Sequence, residues 1–337
     1  MINDDFYKFY CFCCISWDHY NKKVEDMKSN DDLYFNFLPK NRNKDKLLTE
    51  MREYRRECNK IRFFENVDTS TSFIVCEDKN DLIIAFRGSD STIDWIKDFS
   101  SFRKKYNTNL AEESLNNIIP NGNIFDAYVE SCESILDKSI TFFRNIKLVN
   151  PYRNFNIDKN ITKSSLDSKE FTIETHLNRD RIYVHSGFVE QFNSIYDTLD
   201  NIIKSYTSTK KIDRIIFCGH SLGSAISKIA CVTFMLKYPN LFDKMYHYGY
   251  GTPKVGNKHF ENLIKDLNKK HKRIFNINIR DDLVSKLPPN IYGYVDVENH
   301  FELIPANDEK PPFNTKGNHT VFYYLYLFKY GKRVYKK

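Results

Sequence analysis

Between residues 182 and 279 the chain alternates short apolar runs with longer segments in which apolar residues recur every three or four positions. Apolar runs bounded by turns are typical of buried strands, and the longer spacing is typical of amphipathic helices. The predicted helices cover residues 188–206, 224–238 and 259–271, and the predicted strands cover 214–218, 245–250 and 273–279. This alternation favours an α/β fold with a mostly parallel central sheet and helices on both faces.

The first half of the chain is less regular. Residues 1–60 combine mixed charge with apolar positions three and four apart, which predicts a helical N-terminal segment. Residues 72–76 and 82–86 predict two strands around a polar turn. The stretch at about 104–180 is rich in Asn, Ser, Lys and Asp, and we interpret it as a long surface insertion.

We therefore predict two parts of the chain. Residues 1–60 form the helical segment, and residues 61–337 form the α/β domain that carries the insertion.

Composition excludes several classes of protein. The 337 residues are 41% hydrophobic and 28% charged, which excludes a disordered chain and is enough for a large core. The net charge of +7 favours weak attraction to anionic surfaces, but both signs are interspersed, so nucleic acid is not an expected partner. The 8 cysteines include the cluster Cys11-Phe-Cys-Cys14, which we interpret as part of a helix that faces the core, with a metal site or a lipid attachment as the alternative.

The two ends of the sequence bear on location. The first residues are acidic and polar and do not fit a signal peptide, and the apolar stretch 321–328 is too short to span a bilayer. We therefore expect an intracellular, cytoplasmic protein. The basic and aromatic residues 329–337 are interpreted as a solvated tail, with contact to an anionic membrane surface as the alternative.

One motif carries chemistry. Gly219-His-Ser221-Leu-Gly223 fits the G-x-S-x-G nucleophile elbow, with an apolar predicted strand before it and a predicted helix after it. Such an elbow turns sharply and presents its serine at a helix N-terminus, where N–H groups stabilise developing negative charge. We therefore expect Ser221 to be a nucleophile.

A nucleophilic serine needs a base and an orienting acid, which follow it in the order acid, then histidine, in this class of fold. Asp281 and Asp282 directly follow a predicted strand, and His300 and His319 come after them. Upstream, the strand 82–86 runs into a tight turn at Arg-Gly-Ser whose N–H groups and hydroxyl are candidate oxyanion donors.

These residues resemble the fungal-type class 3 lipases of the α/β-hydrolase fold, a family that includes triacylglycerol lipases. Besides the elbow, four blocks are similar to family motifs: Ala85-Phe-Arg-Gly-Ser-Asp, Val184-His-Ser-Gly-Phe, Tyr250-Gly-Thr-Pro-Lys-Val-Gly-Asn and Asp282-Leu-Val-Ser-Lys-Leu-Pro-Pro. A histidine near the C-terminus completes the resemblance.

The resemblance implies a role for each of these residues. Ser221 is the expected nucleophile, His319 the general base and then acid, and Asp282 the residue that holds the imidazole. Ser89 and Leu222 are the expected oxyanion donors. The block from Ala85 to Asp98 resembles the family's oxyanion strand and lid, and residues 91–99 are interpreted as a short cover over an apolar site, with a packed surface helix as the alternative.

The implied activity is serine-dependent hydrolysis of carboxylic esters, most of all of acylglycerols or related lipids, as in lipid degradation. No cofactor and no metal is implied. The expected partners are a lipid or small ester substrate and, transiently, a membrane or lipid-droplet surface. Two alternatives stay open: a phospholipase, and a lipase-fold binding or signalling module whose triad is vestigial.

Three positions depart from the family pattern. Ser224 stands where the family usually has Gly or Ala, and Ser285 replaces a usual Pro. The residues after His319 read Thr-Val-Phe-Tyr-Tyr, where the family often has Gly and Glu near the Tyr.

Overall fold

One mixed sheet organises the part of the chain that is described by the computed structural model. The described residues are 2–25, 49, 61–88, 152–154, 182–295, 298, 300–306 and 319–335. The predicted lid at 91–99, the candidate donor Ser89 and almost all of the predicted insertion lie outside them.

Short strands and amphipathic helices make up this part. The strands are β1 (Arg62–Asn66), β2 (Thr71–Asp78), β3 (Asp81–Phe86), β4 (Tyr152–Asn154), β5 (Tyr183–His185), β6 (Arg214–His220), β7 (Met245–Tyr250), β8 (Ile274–Ile279), β9 (Phe301–Ile304) and β10 (Lys332–Tyr335). The helices are α1 (Ile2–Glu25), α2 (Ser186–Thr209), α3 (Leu222–Lys237), α4 (Lys258–Leu267) and α5 (Val321–Tyr330).

The main sheet has the strand order β1-β2-β3-β6-β7-β8-β9-β10. The five strands from β3 to β9 in that order run parallel, and antiparallel pairs complete the sheet at both edges. Strands β4 and β5 pair separately. The prediction of a mostly parallel α/β sheet is therefore confirmed. Because β6 and β7 lie at its centre, their C-terminal ends meet at the edge where ligand sites collect in such sheets.

Helices cover both faces of the sheet. On one face, α1 and α5 pack against the alternate residues of the central strands, such as Ile216 and Cys218. On the other face, Phe217 stacks near Phe234 of α3, and α3 packs in turn against α2. Central strands buried on both faces have no polar alternation, which is why they appear in the sequence as continuous apolar runs.

Helix α1 is an integral part of the core. The ring of Phe6 lies 5.0–5.4 Å from the rings of Tyr248, Phe275 and Phe301. Next to Phe6, Asp5 of α1 binds Arg214 at the start of β6, which also binds Asp81 at the start of β3. The N-terminal segment is therefore helical as predicted over residues 2–25, and it joins the sheet rather than standing apart. The domain boundary at residue 60 stays a prediction.

Replacing Phe6 by alanine should destabilise the protein strongly. The substitution leaves a cavity among aromatic rings, and such changes cost about 3–5 kcal/mol. Urea unfolding of the parent and of Phe6→Ala measures this loss in the free energy of unfolding. Val67→Ala is the control, because Val67 is 76% exposed and its truncation should cost less than about 0.5 kcal/mol. Equal stability of Phe6→Ala and the parent would contradict the packing of α1.

The structure differs from the predictions at the end of α4 and in residues 329–337. Helix α4 ends at Leu267, because the side chain of Asn268 accepts the N–H groups of Arg273 and Ile274 and turns the chain into β8. The interpretation of residues 329–337 as a solvated tail is wrong, because Lys332–Tyr335 forms strand β10 and pairs with β9.

Among the described residues, no helix has the length and apolar character needed to cross a bilayer.

Helix α3 contains a lysine whose side chain is buried. Lys228 is fully buried, and its Nζ has no hydrogen-bond partner among the described residues. Glu261 of α4 is the acidic group that favours its charge, but burial dominates and lowers the pKa of Lys228 to about 8. The ordinary lysine pKa is near 10.5, so the folded state binds this proton less tightly than the unfolded chain does.

The contribution of Lys228 to stability should therefore grow with pH in the alkaline range. Below pH 8 both states carry its charge, and between about pH 8 and 10.5 only the unfolded state does, so this contribution to the free energy of unfolding grows by roughly 3 kcal/mol. The measurement is urea unfolding from pH 7 to 10 for the parent and Lys228→Met. The difference in free energy of unfolding between the two proteins should change with pH in this sense, and parallel curves for the two proteins would contradict the prediction.

Candidate active site

The turn from β6 into α3 has the geometry of a strained elbow. Ser221 has φ 58° and ψ −128°, an unusual conformation for a residue with a side chain, and its N–H donates to the Tyr250 carbonyl at 2.9 Å. The side chain of Ser221 does not cap the helix that it precedes. Ser221 therefore stands at the N-terminal end of α3, directly before Leu222, the first residue of the helix, and its hydroxyl is not used as a cap.

Gly223 explains how the elbow fits against the neighbouring strand. A Cβ atom at this position would lie 2.5 Å from the carbonyl oxygen of Phe86 and 2.7 Å from that of Arg87. No side chain fits at such distances, so glycine is required there. The close contact places the start of α3 against the end of β3, two residues before Ser89.

Asp282 follows the C-terminal end of β8 and is completely buried. Its Oδ1 accepts the Val284 N–H at 2.9 Å. Its Oδ2 lies 2.7 Å from His319 Nδ1 and 2.6 Å from the Tyr324 hydroxyl. A carboxylate only accepts hydrogen bonds, so the geometry favours the His319 tautomer with its proton on Nδ1.

His319 stands just before α5 and is 5% exposed. Thr320 caps this helix by accepting the Tyr323 N–H, which fixes the chain on the C-terminal side of the imidazole. His319 Nε2 has no hydrogen-bond partner among the described residues. An imidazole with its proton on Nδ1 and an unpartnered Nε2 is chemically suited to accept a proton.

The alternative candidates for the base and the acid, His300 and Asp281, do not form such a pair. His300 packs against the rings of Phe6 and Phe275, and its N–H donates to Asn276 near the start of β8, at the opposite end of that strand from Asp282. Asp281 is exposed to solvent. The structure therefore brings together Asp282 and His319 but not the alternatives that the sequence left open.

Tyr324 also contacts the candidate acid Asp282, and the sequence did not indicate this contact. Its hydroxyl donates to Asp282 Oδ2, and its oxygen accepts the Ile279 N–H at 3.0 Å. Burial next to this carboxylate raises the pKa of Tyr324 well above its ordinary value, so the phenol stays protonated. The sequence offers only a pair of tyrosines after His319 as a signal. Which of the two contacts Asp282 depends on how α5 packs, and the sequence alone does not show that packing.

Two of the family departures have local explanations. The Ser224 hydroxyl is buried and pairs with the Thr252 hydroxyl at 2.6 Å, so the extra polar group is satisfied. The Ser285 hydroxyl donates to the Asp282 carbonyl at 2.8 Å and closes the turn that holds the acid. Among the described residues, no group of three or more His, Cys, Asp or Glu is arranged to hold a metal ion.

The region of the chain that contains the elbow is similar to known lipases. Residues 152–292 match the family described as lipase (class 3). A secreted mono- and diacylglycerol lipase of Malassezia globosa is 32% identical over 124 residues, covering 37% of this chain and 40% of that protein. A second one, of Fusarium solani, is 30% identical over 111 residues, covering 33% of this chain and 31% of that protein. The matched region thus spans well under half of these curated relatives.

Solved structures extend the likeness to most of the fold. Lipase II from Rhizopus niveus superposes with a TM-score of 0.54 at 14% identity, covering 89% of this chain and 79% of that one. The mono- and diacylglycerol lipase from Aspergillus oryzae gives 0.53 at 14% identity, covering 100% and 87%. At this identity the likeness concerns the fold alone.

The relatives also correct one expectation. Four of them are named secreted lipases, from two Malassezia species and from Fusarium solani, which contradicts the prediction of an intracellular, cytoplasmic protein. That prediction is wrong because it rested on the polarity of the first residues, and a property of so few residues does not determine the compartment.

The central sheet, the strained serine turn and the matched sequence block point to the same group of proteins. Over residues 152–292 the chain resembles the class 3 lipases, and it has the α/β-hydrolase fold of the solved fungal lipases.

Proposed function

We propose that the protein is a serine hydrolase that cleaves the carboxylic esters of acylglycerols. Ser221 is the nucleophile, His319 the general base and then acid, and Asp282 the residue that orients the imidazole. Leu222 and Ser89 donate to the oxyanion, Leu222 through its backbone N–H. We infer the role of Ser89 from the sequence alone, because it lies two residues after Arg87 in the turn that follows β3.

One observation carries the proposal. His319 Nδ1 is bound to a buried carboxylate, while its Nε2 has no partner in the described part of the chain. A carboxylate on one nitrogen fixes the tautomer and leaves the other nitrogen as the one that accepts a proton. Together with the strained serine at the elbow, this arrangement supplies each group that ester cleavage by a serine requires.

The reaction proceeds in two halves. Ser221 Oγ bonds to the ester carbonyl carbon as its proton passes to His319 Nε2, and the carbonyl oxygen becomes an anion at the start of α3. The bond to the alcohol then breaks, and Nε2 returns the proton to the leaving oxygen. Water repeats these steps on the acyl-enzyme, giving the carboxylic acid and free Ser221.

Mono- and diacylglycerols are the substrates that we propose to test first. Relatives from Malassezia and Fusarium carry these substrates in their names. The same names favour an extracellular site of action. The proposed partner is a lipid surface that presents these esters.

The test is labelling with a fluorophosphonate, which reacts covalently with an activated serine. The parent should label with one equivalent, and peptide mapping should locate the adduct on Ser221. Ser221→Ala should not label. Ser227→Ala, which removes another buried hydroxyl of α3, should label like the parent. A folded parent that stays unlabelled would favour the vestigial module and overturn the proposal.

A further inference from the structure

A second histidine lies against the candidate base. His220 is the last residue of β6, directly before Ser221, and is only 2% exposed. Its ring lies 4.6 Å from the His319 ring between centroids, with 27° between the two planes. The two imidazoles are therefore stacked face to face rather than joined by a hydrogen bond.

The surroundings of His220 do not suit proton transfer. Neither of its ring nitrogens has a hydrogen-bond partner among the described residues. Burial, and then the neighbouring His319, lower the pKa of His220 well below its ordinary value, so this ring is neutral. The titratable groups that face it are His319 and Tyr324 on the C-terminal side and Tyr10 from α1.

An unpaired buried imidazole is costly compared with an apolar side chain, because burying a polar group without a hydrogen bond is unfavourable. What His220 supplies in return is a flat aromatic face. Tyr10 and Tyr324 meet this ring edge-on, at 6.1 and 5.2 Å between centroids, and hold it in place. The ring thus has a fixed orientation on the side where it faces His319.

From this stacking we propose that His220 is a positioning residue for His319, an inference that rests on the proposed function. Its ring fixes the plane of the His319 imidazole, so that Nδ1 stays on Asp282 while Nε2 is directed toward Ser221. On another side of the imidazole, a Cβ at Gly251 would lie 2.9 Å from His319 Cε1, so the backbone there also restricts the ring. When His319 becomes a cation during the reaction, a neutral aromatic face beside it is favourable.

Helix α1 takes part in this support. The Tyr10 hydroxyl donates to the Val321 carbonyl at 2.6 Å, two residues after His319, while the ring of Tyr10 contacts His220. One side chain of α1 therefore touches both the residue before the nucleophile and the helix that follows the base.

The test compares two substitutions with opposite effects on stacking. His220→Phe keeps an aromatic face and removes both nitrogens, and His220→Ala removes the ring. For hydrolysis of p-nitrophenyl butyrate, His220→Ala should lower kcat by about 10- to 100-fold with little change in KM, since misplacement of a reacting group has effects of this size. His220→Phe should keep kcat within about threefold of the parent, because positioning needs only the stacked face.

His247 supplies the matched control. It is also a buried histidine with a lowered pKa, and it bonds to Ser227 beneath α3 rather than to the catalytic groups. His247→Gln should have the parent's kcat per folded molecule, with folding checked by circular dichroism. Equal kcat for His220→Ala and the parent would overturn the inference, and so would equal loss in His220→Phe and His220→Ala. If the parent itself neither labels nor hydrolyses the ester, the proposed function fails instead.

Discussion

Replacing Ser221 by alanine should lower kcat for p-nitrophenyl butyrate by about 10⁶-fold, the loss seen when a serine hydrolase loses its nucleophile. The hydroxyl lies at the turn between β6 and α3 and is not used as a helix cap, so its removal deletes the group that bonds to the acyl carbon. Alanine has no oxygen to form an acyl-enzyme. The fold should tolerate the change, because the Ser221 side chain makes no cap hydrogen bond to α3 that the substitution would remove.

Steady-state hydrolysis by purified Ser221→Ala measures this effect. Ser227→Ala is again the control, since its buried hydroxyl donates to the Ser224 carbonyl within the same helix. The control should keep the parent's kcat per folded molecule. Comparable rates for Ser221→Ala and the parent would show that ester cleavage, if present, occurs elsewhere.

Replacing Asp282 by asparagine should lower kcat by about 10⁴-fold, the loss observed when the triad acid of a serine hydrolase becomes an amide. Oδ2 of Asp282 accepts hydrogen bonds from both His319 and Tyr324. The asparagine amide presents an acceptor oxygen on one side and an NH2 donor group on the other, and when the NH2 group faces His319 it favours the imidazole tautomer with its proton on Nε2. That tautomer is unable to accept the serine proton.

The neighbouring residue makes a sharp comparison for this prediction. Asp281→Asn alters an exposed carboxylate one position away and should leave kcat unchanged. Rates across pH 6–9 should show the loss in Asp282→Asn at every pH. Similar activities for the two variants would remove Asp282 from the proposed mechanism.

The central strands were predictable to within a few residues. Met245–Tyr250 was predicted with the observed bounds, because a strand buried on both faces has no polar alternation to interrupt its apolar run. The edge strands Arg62–Asn66 and Lys332–Tyr335 were missed. Their residues are mostly half-buried and polar or aromatic, and their partners are set by contacts that local periodicity does not contain.

The nucleophile and its partners were predictable to different degrees. Ser221 follows from its motif, since only a tight strand-to-helix turn needs that spacing of glycines. The pairing of Asp282 with His319 depends on where α5 packs, and the sequence left His300 open as an alternative base. The contacts of His220 and Tyr324 arise only when the sheet end and α5 meet, which explains why no spacing rule indicated them.

The bond between Tyr10 and Val321 joins positions 311 apart along the chain. During synthesis α1 is made long before α5, and its buried residues, which include Cys11, Cys13 and Cys14, lack the cover of α5 until that helix is made. Contacts of such large sequence separation slow folding and lengthen the exposure of apolar surface. The helix that contacts His220 therefore depends on protection from aggregation and from thiol oxidation until α5 has been made.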